Sequence, residues 1–371
     1  MDKKNILLVI SIVVIAIVAI TIYNLIPNFN TTEFDQESII NISEGSTTTI
    51  NEISPSTTSL EEVNESDEII IVENKIDELL QFNKADERIY EFETYLLIGS
   101  DERSEDSSEA RGFVTGQRSD VIILALIHKE KEEISLISIP RDLLIKNTCT
   151  DEIERINASF SKNKCGNSAE NLSASILNIT GILVDHFALF NFEGFEKIID
   201  SMNGVEVCLN EAQREGYSFE LQKGCQIVSG EIALNWVVSR NTEVLVGDKL
   251  VDENGNDASV WEPMKGVSDL YRVKKQQEII LSLLQRLNEF NSYSDLLNLI
   301  NALEKTFLID ENLSIPNATQ LLWGYRNFNF SNINKLTVPT KPYRTEDGKE
   351  VLVLTDSFYN FLIKESLLNQ P

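Results

Sequence analysis

Histidine is almost missing from this 371-residue chain, with His128 and His186 as the two examples. The four cysteines contain no C-x-x-C spacing, so a zinc centre ranks well below a disulfide framework. G-x-S-x-G, H-E-x-x-H, G-x-x-x-x-G-K-[ST] and G-x-G-x-x-G are all absent, which argues against the familiar nucleophile elbows, zinc peptidases and nucleotide loops. Basic charge is also scarce. With 32 Lys and Arg against 59 Asp and Glu, the net charge of −27 repels nucleic-acid phosphates and excludes nonspecific binding to them without a local basic patch. The 42% apolar share is ordinary, so composition points to neither general disorder nor a polytopic membrane protein.

What is present begins with a 22-residue uncharged stretch, Asn5–Ile26. As a helix it spans about 33 Å, enough for a hydrocarbon core of about 30 Å. Lys3 and Lys4 precede it, which favours a cytoplasmic N-terminus and an extracytoplasmic body. No A-x-A-like site follows, so the reading is a retained single-pass anchor in the cell membrane rather than a cleaved signal peptide. In an exported body, Cys149, Cys165, Cys208 and Cys225 are candidates for disulfides. Pairing of sequence neighbours is simplest, each closed loop contributing about 3 kcal/mol in the chain-entropy picture, although three connectivities are formally open.

Residues 31–93 hold 17 acidic and 3 basic side chains, about half of the chain's excess negative charge. Their Ser- and Thr-rich runs read as a solvated spacer, with a short amphipathic stretch near Ile69–Phe82. From Thr94 the pattern becomes globular. Tyr95–Ile98 reads as a strand, Val121–Ile127 and Ile134–Ile139 as a hairpin, and His186–Phe192 and Val205–Cys208 as further strands. Ala169–Asn178, Gly194–Met202, Arg272–Leu287, Leu296–Phe307 and Asn317–Trp323 carry helical patterns. The segments are thus 1–4 cytoplasmic stub, 5–26 anchor, 27–93 spacer, 94–340 catalytic body and 341–371 C-terminal tail. The mixture predicts an α/β fold with a mixed sheet covered by helices.

Acids and arginines collect at the ends of these strands. Asp101 and Arg103 follow the first, Arg118 and Asp120 enter the second, and Arg141 and Asp142 leave the third. If the first two strands are neighbours, Asp101 and Asp120 offer hard oxygen ligands for Mg²⁺ or Mn²⁺. Arginines beside them suit a diphosphate, because a planar guanidinium presents forked donors to phosphate oxygens. Taken singly, each has a plainer explanation: Asp101 as a turn cap, Arg141 paired locally with Asp142.

The strings Leu97-Ile98-Gly99-Ser100-Asp101-Glu102-Arg103, Arg118-Ser119-Asp120, Ser138-Ile139-Pro140-Arg141-Asp142 and Arg155-Ile156-Asn157-Ala158 together resemble landmarks of the LytR-CpsA-Psr family. Asp185-His186-Phe187, Asn203-Gly204-Val205, Gly230-Glu231-Ile232 and Asp269-Leu270-Tyr271-Arg272 through Gln277 continue the resemblance. It implies a three-layer α-β-α fold with an apolar tunnel for a polyprenyl chain and an arginine-lined diphosphate site. It assigns metal binding to Asp101 and Asp120, and diphosphate contacts to Arg141, Arg240, Arg272 and Gln276, with Arg103, Arg118 and Asp269 as further contacts. The family's R-x-R is reduced here to Val238-Ser239-Arg240, which removes one expected phosphate contact. The acidic stretch Glu243–Val267 reads as a loop, either over the site or inert on the surface.

The function so implied is transfer of a glycopolymer from a polyprenyl-diphosphate carrier to a peptidoglycan hydroxyl, such as teichoic acid or capsule attachment, with hydrolysis of the lipid diphosphate as a side reaction. The alternative is a non-catalytic polyprenyl-diphosphate-binding sensor or scaffold in envelope assembly. A DNA-binding regulator is opposed by both topology and charge.

Overall fold

The computed structural model describes residues 31–32, 34–44, 91–100, 118–160, 167–247, 250, 254, 258–264, 269–303, 307–313, 315–330, 333–345, 347–365 and 367. Its elements run β1 (Thr31–Thr32), α1 (Gln36–Glu44), β2 (Phe92–Ser100), β3 (Ser119–His128), β4 (Ile134–Ser138), β5 (Leu144–Lys146) and β6 (Ile153–Arg155). After a 3₁₀ turn at Ile156–Phe160 come α2 (Ser168–Thr180), β7 (His186–Asn191), α3 (Phe192–Ser201), β8 (Val205–Leu209), β9 (Gln213–Glu215), β10 (Phe219–Leu221), β11 (Gly224–Val228) and α4 (Gly230–Val238). Next are β12 (Glu243–Val246), β13 (Val260–Pro263), α5 (Asp269–Gln285), α6 (Tyr293–Ala302), β14 (Phe307–Asp310) and α7 (Ile315–Gly324). The described chain closes with β15 (Asn334–Thr337), β16 (Thr340–Arg344), β17 (Glu350–Leu354) and α8 (Phe358–Lys364).

The central sheet has the order β1-β14-β7-β2-β3-β4-β15. The β2–β3–β4 meander is antiparallel, whereas β7 and β15 join it in parallel, so the sheet is mixed. Its middle strands are covered on both sides, which is why they read as near-continuous apolar runs rather than alternating ones. Successive residues nonetheless go to opposite layers. Leu96, Ile98, Ile122 and Leu124 pack with Leu172, Ile176 and Phe358, while Tyr95, Ile123 and Ala125 pack with Leu281, Leu296 and Ile300. Helices thus lie on both faces. A third apolar cluster joins α3, α4 and the β8–β11 ribbon, with Trp236 and Ile199 at its centre.

Several sequence expectations change. Leu296–Phe307 is not one helix: Phe307 instead opens β14, which pairs antiparallel with β7. A short apolar run such as Phe307-Leu308-Ile309 fits either element by pattern, and tertiary pairing decides. Within Glu243–Val267, β12 and β13 form a hairpin that extends β9 and β10 into a four-stranded sheet. Nor is the start of the spacer detached. Phe34 and Ile39 are buried in the main core, Asp35 donates its backbone N–H to Glu170, and Gln36 donates to Asp185 at 3.0 Å. The region set apart as a tail contributes β17 and α8, whose Leu354, Phe358, Phe361 and Leu362 complete the same core.

Cys208 and Cys225 sit directly opposite on β8 and β11 and are joined by a disulfide. Cys149 is also disulfide-bonded; Cys165 lies outside the described residues, as do the 5–26 anchor segment and Ile69–Phe82. Among the described residues, no helix is long and apolar enough to cross a membrane.

Candidate active site

The site forms where the β2–β3–β4 meander ends. Antiparallel register pairs Ile123 with Ser138; continued three residues along both chains, it sets Asp120 opposite Arg141. Arg141 donates from Nη1 to Asp120 Oδ1, and both side chains are largely buried. Arg141 Nε also lies 3.7 Å from Asp142 Oδ2, and Asp142 Oδ1 lies 3.3 Å from Arg155 Nε. The local Arg141–Asp142 partnership therefore exists, but Asp120 makes the direct hydrogen bond. Gly99, opposite Val121 on β3, lets the two strands approach closely beside the site: a Cβ there would stand 2.9 Å from the Val121 side chain, too close for an ordinary contact.

Arg272 and Gln276, four residues apart on α5, share one face of that helix. Both line a cavity together with Asp120, Arg141, Arg240 and Val238, whose empty space, counting its open mouth, amounts to about 740 Å³. The remaining wall is apolar and aromatic, built from Phe190, Phe192, Phe195, Leu234, Val237 and Ile280. Asn191 joins the two kinds of wall: it lines the cavity and caps α3 by accepting the Gly194 N–H at 2.8 Å.

The charge balance is tilted toward anions. Burial first, and then the neighbouring guanidinium groups of Arg141 and Arg240, bring the Arg272 pKa down to about 10, against the partial relief of Asp120 and Asp142. Three arginines in one partly desolvated cluster repel each other, and an anion between them would remove that repulsion.

Two residues on α5 hold the cluster without lining it. Gln277 donates to Ser138 Oγ at 2.9 Å and to the Leu336 carbonyl at 2.8 Å, fastening α5 to β4 and β15. Lys275 is 1% exposed. Its Nζ donates to the Trp236 carbonyl at 2.9 Å and to Thr242 Oγ1 at 3.0 Å. Thr242 Oγ1 is in turn 2.7 Å from Ser239 Oγ, so the ammonium secures the turn that carries Arg240. Burial lowers the Lys275 pKa to about 8.

Thus Asp120, Arg141, Arg240, Arg272 and Gln276 meet in one cavity. Asp101 and Arg103 lie outside the described residues, and Asp269 opens α5. Arg118 lines a separate groove with Arg155, Asn157 and Lys349. Sequence reasoning did not single out the Phe190–Phe195 wall or Lys275. The aromatics form a compact cluster at a strand-to-helix junction, which is a legible signal; a buried lysine has none, since its partners are a carbonyl and a distant hydroxyl.

A mixed sheet between helices, with an arginine cluster against an apolar cavity, defines a fold and site suited to amphiphilic anions. The chain belongs to the LytR_cpsA_psr family, whose model matches residues 48–249. It is 26% identical over 273 residues to a probable cell wall biosynthesis protein, LcpB, of Corynebacterium glutamicum, covering 70% of this chain and 57% of that one. LcpA of the same organism is also 26% identical, with 70% of this chain and 52% of the relative covered. The chain thus spans a little over half the length of these two. It is 21% identical to TagU of Bacillus mycoides, a polyisoprenyl-teichoic acid–peptidoglycan teichoic acid transferase, over 68% of this chain and 70% of that one. Among solved structures, a LytR-Csp2A-Psr enzyme from Actinomyces oris superposes with TM-score 0.55 at 20% identity, covering 77% and 93% of the two chains. TagV of B. subtilis gives 0.56 at 18% identity, covering 74% and 95%. These structures share the fold.

Proposed function

We propose that the protein transfers a glycopolymer from a polyprenyl-diphosphate carrier to a hydroxyl of peptidoglycan. The observation that carries this reading is the meeting of Arg141, Arg240 and Arg272 in a cavity whose other wall is apolar and aromatic. One ligand chemistry matches both halves: a diphosphate for the arginines and a hydrocarbon chain for the Phe190, Phe192 and Phe195 wall. The relatedness to TagU, a teichoic acid transferase, points the same way.

In this reaction the acceptor oxygen forms a bond to the phosphorus that bears the glycan. The bond from that phosphorus to the bridging oxygen breaks, its electron pair leaves with polyprenyl phosphate, and the hydroxyl proton passes to solvent. Arg141, Arg240 and Arg272 hold the diphosphate in line for attack and offset the charge on its oxygens. The pairing of Arg141 with Asp120 fixes the guanidinium before substrate arrives, so its orientation costs little when the ligand binds. The phenyl rings exclude water around the leaving lipid phosphate; water that did reach the phosphorus would give the hydrolysis product instead.

The donor set also fits a divalent cation. Mg²⁺ is commonly held by one or two carboxylates together with substrate phosphates and waters, and Asp120 supplies such a carboxylate beside the arginines. Asp120, with Asp101 as its second ligand, would hold Mg²⁺ or Mn²⁺, which neutralises diphosphate charge when bound.

Val238 favours a second reading. It puts an apolar side chain in the cavity where the family resemblance calls for arginine, so a sensor or scaffold that binds the lipid diphosphate without turnover is the alternative. Full-length protein in detergent, given a polyprenyl-diphosphate saccharide, a peptidoglycan oligosaccharide and Mg²⁺, separates the two. Release of polyprenyl phosphate with a new phosphodiester on the acceptor is the expected result. Saturable lipid binding with no product at any metal or pH would establish the sensor.

A further inference from the structure

Transfer requires two ligands at one phosphorus, and the arginine-lined cavity accounts for the donor. In-line displacement places the attacking oxygen on the side of the phosphorus away from the leaving group. Polyprenyl phosphate leaves toward the aromatic wall built by β7, α3 and α4. The acceptor must therefore approach past Arg141 from elements that do not form that wall.

One open groove meets this condition. It encloses, with the open solvent at its mouth, about 1310 Å³ of empty space between the β5–β6 hairpin on one side and the β16–β17 hairpin on the other. It is continuous with the donor site through the chain itself. Asn157, in the groove, donates its backbone N–H to the Arg141 carbonyl at 3.2 Å. Asp142, next to Arg141, accepts the backbone N–H of Leu352 on β17 at 2.9 Å and faces Arg155 at 3.3 Å. Arg118, which enters the groove, stands immediately before β3 and two residues ahead of Asp120. Donor cavity and groove are thus joined by the backbone contacts of Arg141 and Asp142 and by the chain that runs from Arg118 to Asp120.

The lining suits a charged saccharide. Its charged groups are of both signs: Lys349 Nζ lies 2.6 Å from Asp347 Oδ2, Arg155 pairs with Asp142, and Arg118 and Glu154 also line the groove, with Thr345 and Asn157 as polar neighbours. Ile153 is 58% exposed and gives an apolar surface for a sugar face or a peptide stem.

We propose that the groove between the β5–β6 and β16–β17 hairpins binds the acceptor, a peptidoglycan glycan strand bearing peptide carboxylates. The identity of the acceptor rests on the transferase reading above; occupancy of the groove by a wall glycan does not depend on turnover.

Two measurements keep those ideas apart. The first is binding of a peptidoglycan-derived tetrasaccharide with its peptide stems to the full-length protein, by titration calorimetry, for wild type, Lys349→Glu and Ile153→Glu. Both side chains are exposed, so neither substitution burdens the core. Wild type binds, and each variant weakens binding at least fivefold. Equal affinity among the three, or no binding by wild type, overturns the groove. The second is steady-state transfer: the variants raise the acceptor KM at least fivefold and leave the donor KM within twofold of wild type. A parallel rise in donor KM would move these residues to the donor site and also overturn the proposal. Tetrasaccharide binding that is lost in the variants, with no transfer by any of the three proteins, would sink the transferase reading and leave the groove standing.

Discussion

Lys275 shows how much of the site depends on side chains that do not line it. Its folded pKa of about 8 lies below the ordinary lysine value of 10.5 because burial disfavours the charged form. Between these two values the unfolded chain binds more protons than the folded one, so this residue makes stability rise with pH from about 8 to 10.5. Urea unfolding at both ends of that window should show a rise in wild type that is smaller in Lys275→Met; equal changes would place the titration elsewhere. The same substitution removes the donor to Trp236 and Thr242. Hydrogen exchange at Ser239–Thr242 should therefore quicken. Val238 offers the complementary experiment. It lines the donor cavity two residues before Arg240, so Val238→Arg adds a cation at an anion site. Donor affinity should increase severalfold at low salt, with the gain shrinking as salt is added. An unchanged affinity would separate this position from the phosphates.

At the scale of elements, some of the motifs that carried the family resemblance are scaffolding rather than chemistry. Asp185 accepts from the Thr94 N–H at 2.8 Å and its hydroxyl at 2.9 Å, locking the start of β2 to β7 at the end remote from the cavity. His186 lies in the same place. Burial depresses its pKa, but the hydrogen bond and charge of Asp310, together with Glu93 and Asp185, outweigh this and raise it overall. Asn203 and Gly204, both at positive φ, turn the chain from α3 into β8. A Cβ on Gly204 would meet the Val228 carbonyl oxygen at 2.8 Å, so both space and backbone angle demand glycine. The β8–β11 ribbon that follows is secured by Cys208–Cys225. Replacing both cysteines by serine should cost about 3 kcal/mol in denaturant unfolding, from the loop closure released in the unfolded chain. A loss below about 1 kcal/mol would mean that the ribbon's strand pairing alone suffices.

Across the whole molecule, the sheet was the most legible part of the sequence. The runs Tyr95–Ile98, Val121–Ile127 and Ile134–Ile139 fall within or against the strands β2, β3 and β4, because strands buried on both faces leave an unbroken apolar record. The polar cluster was legible only as a set. Asp120 and Arg141 are 21 positions apart and meet through antiparallel register, which the charged turn between β3 and β4 made inferable. Less visible was the closure of the fold by its distant ends. Residues 34–44 and 350–364 carry modest apolar patterns amid polar neighbours, yet Ile39, Phe358 and Leu362 are at most 1% exposed in the main core. What reveals them is the α2 surface they cover, and sequence alone does not display that surface. Phe358→Ala should accordingly cost about 3–5 kcal/mol, as expected for a fully buried aromatic. A cost below about 1 kcal/mol by thermal or urea unfolding would return α8 to the status of a tail.

The central claim is that one cavity holds both the diphosphate and the hydrocarbon of a lipid-linked glycan. Native mass spectrometry of full-length protein released from detergent tests it without requiring turnover. Wild type should retain a polyprenyl diphosphate, free or glycan-bearing, whereas Arg141→Ala and Arg272→Ala should lose most of it while keeping wild-type circular dichroism. Retention of the lipid by both variants, or its absence from wild type supplied with polyprenyl diphosphate, would contradict the account.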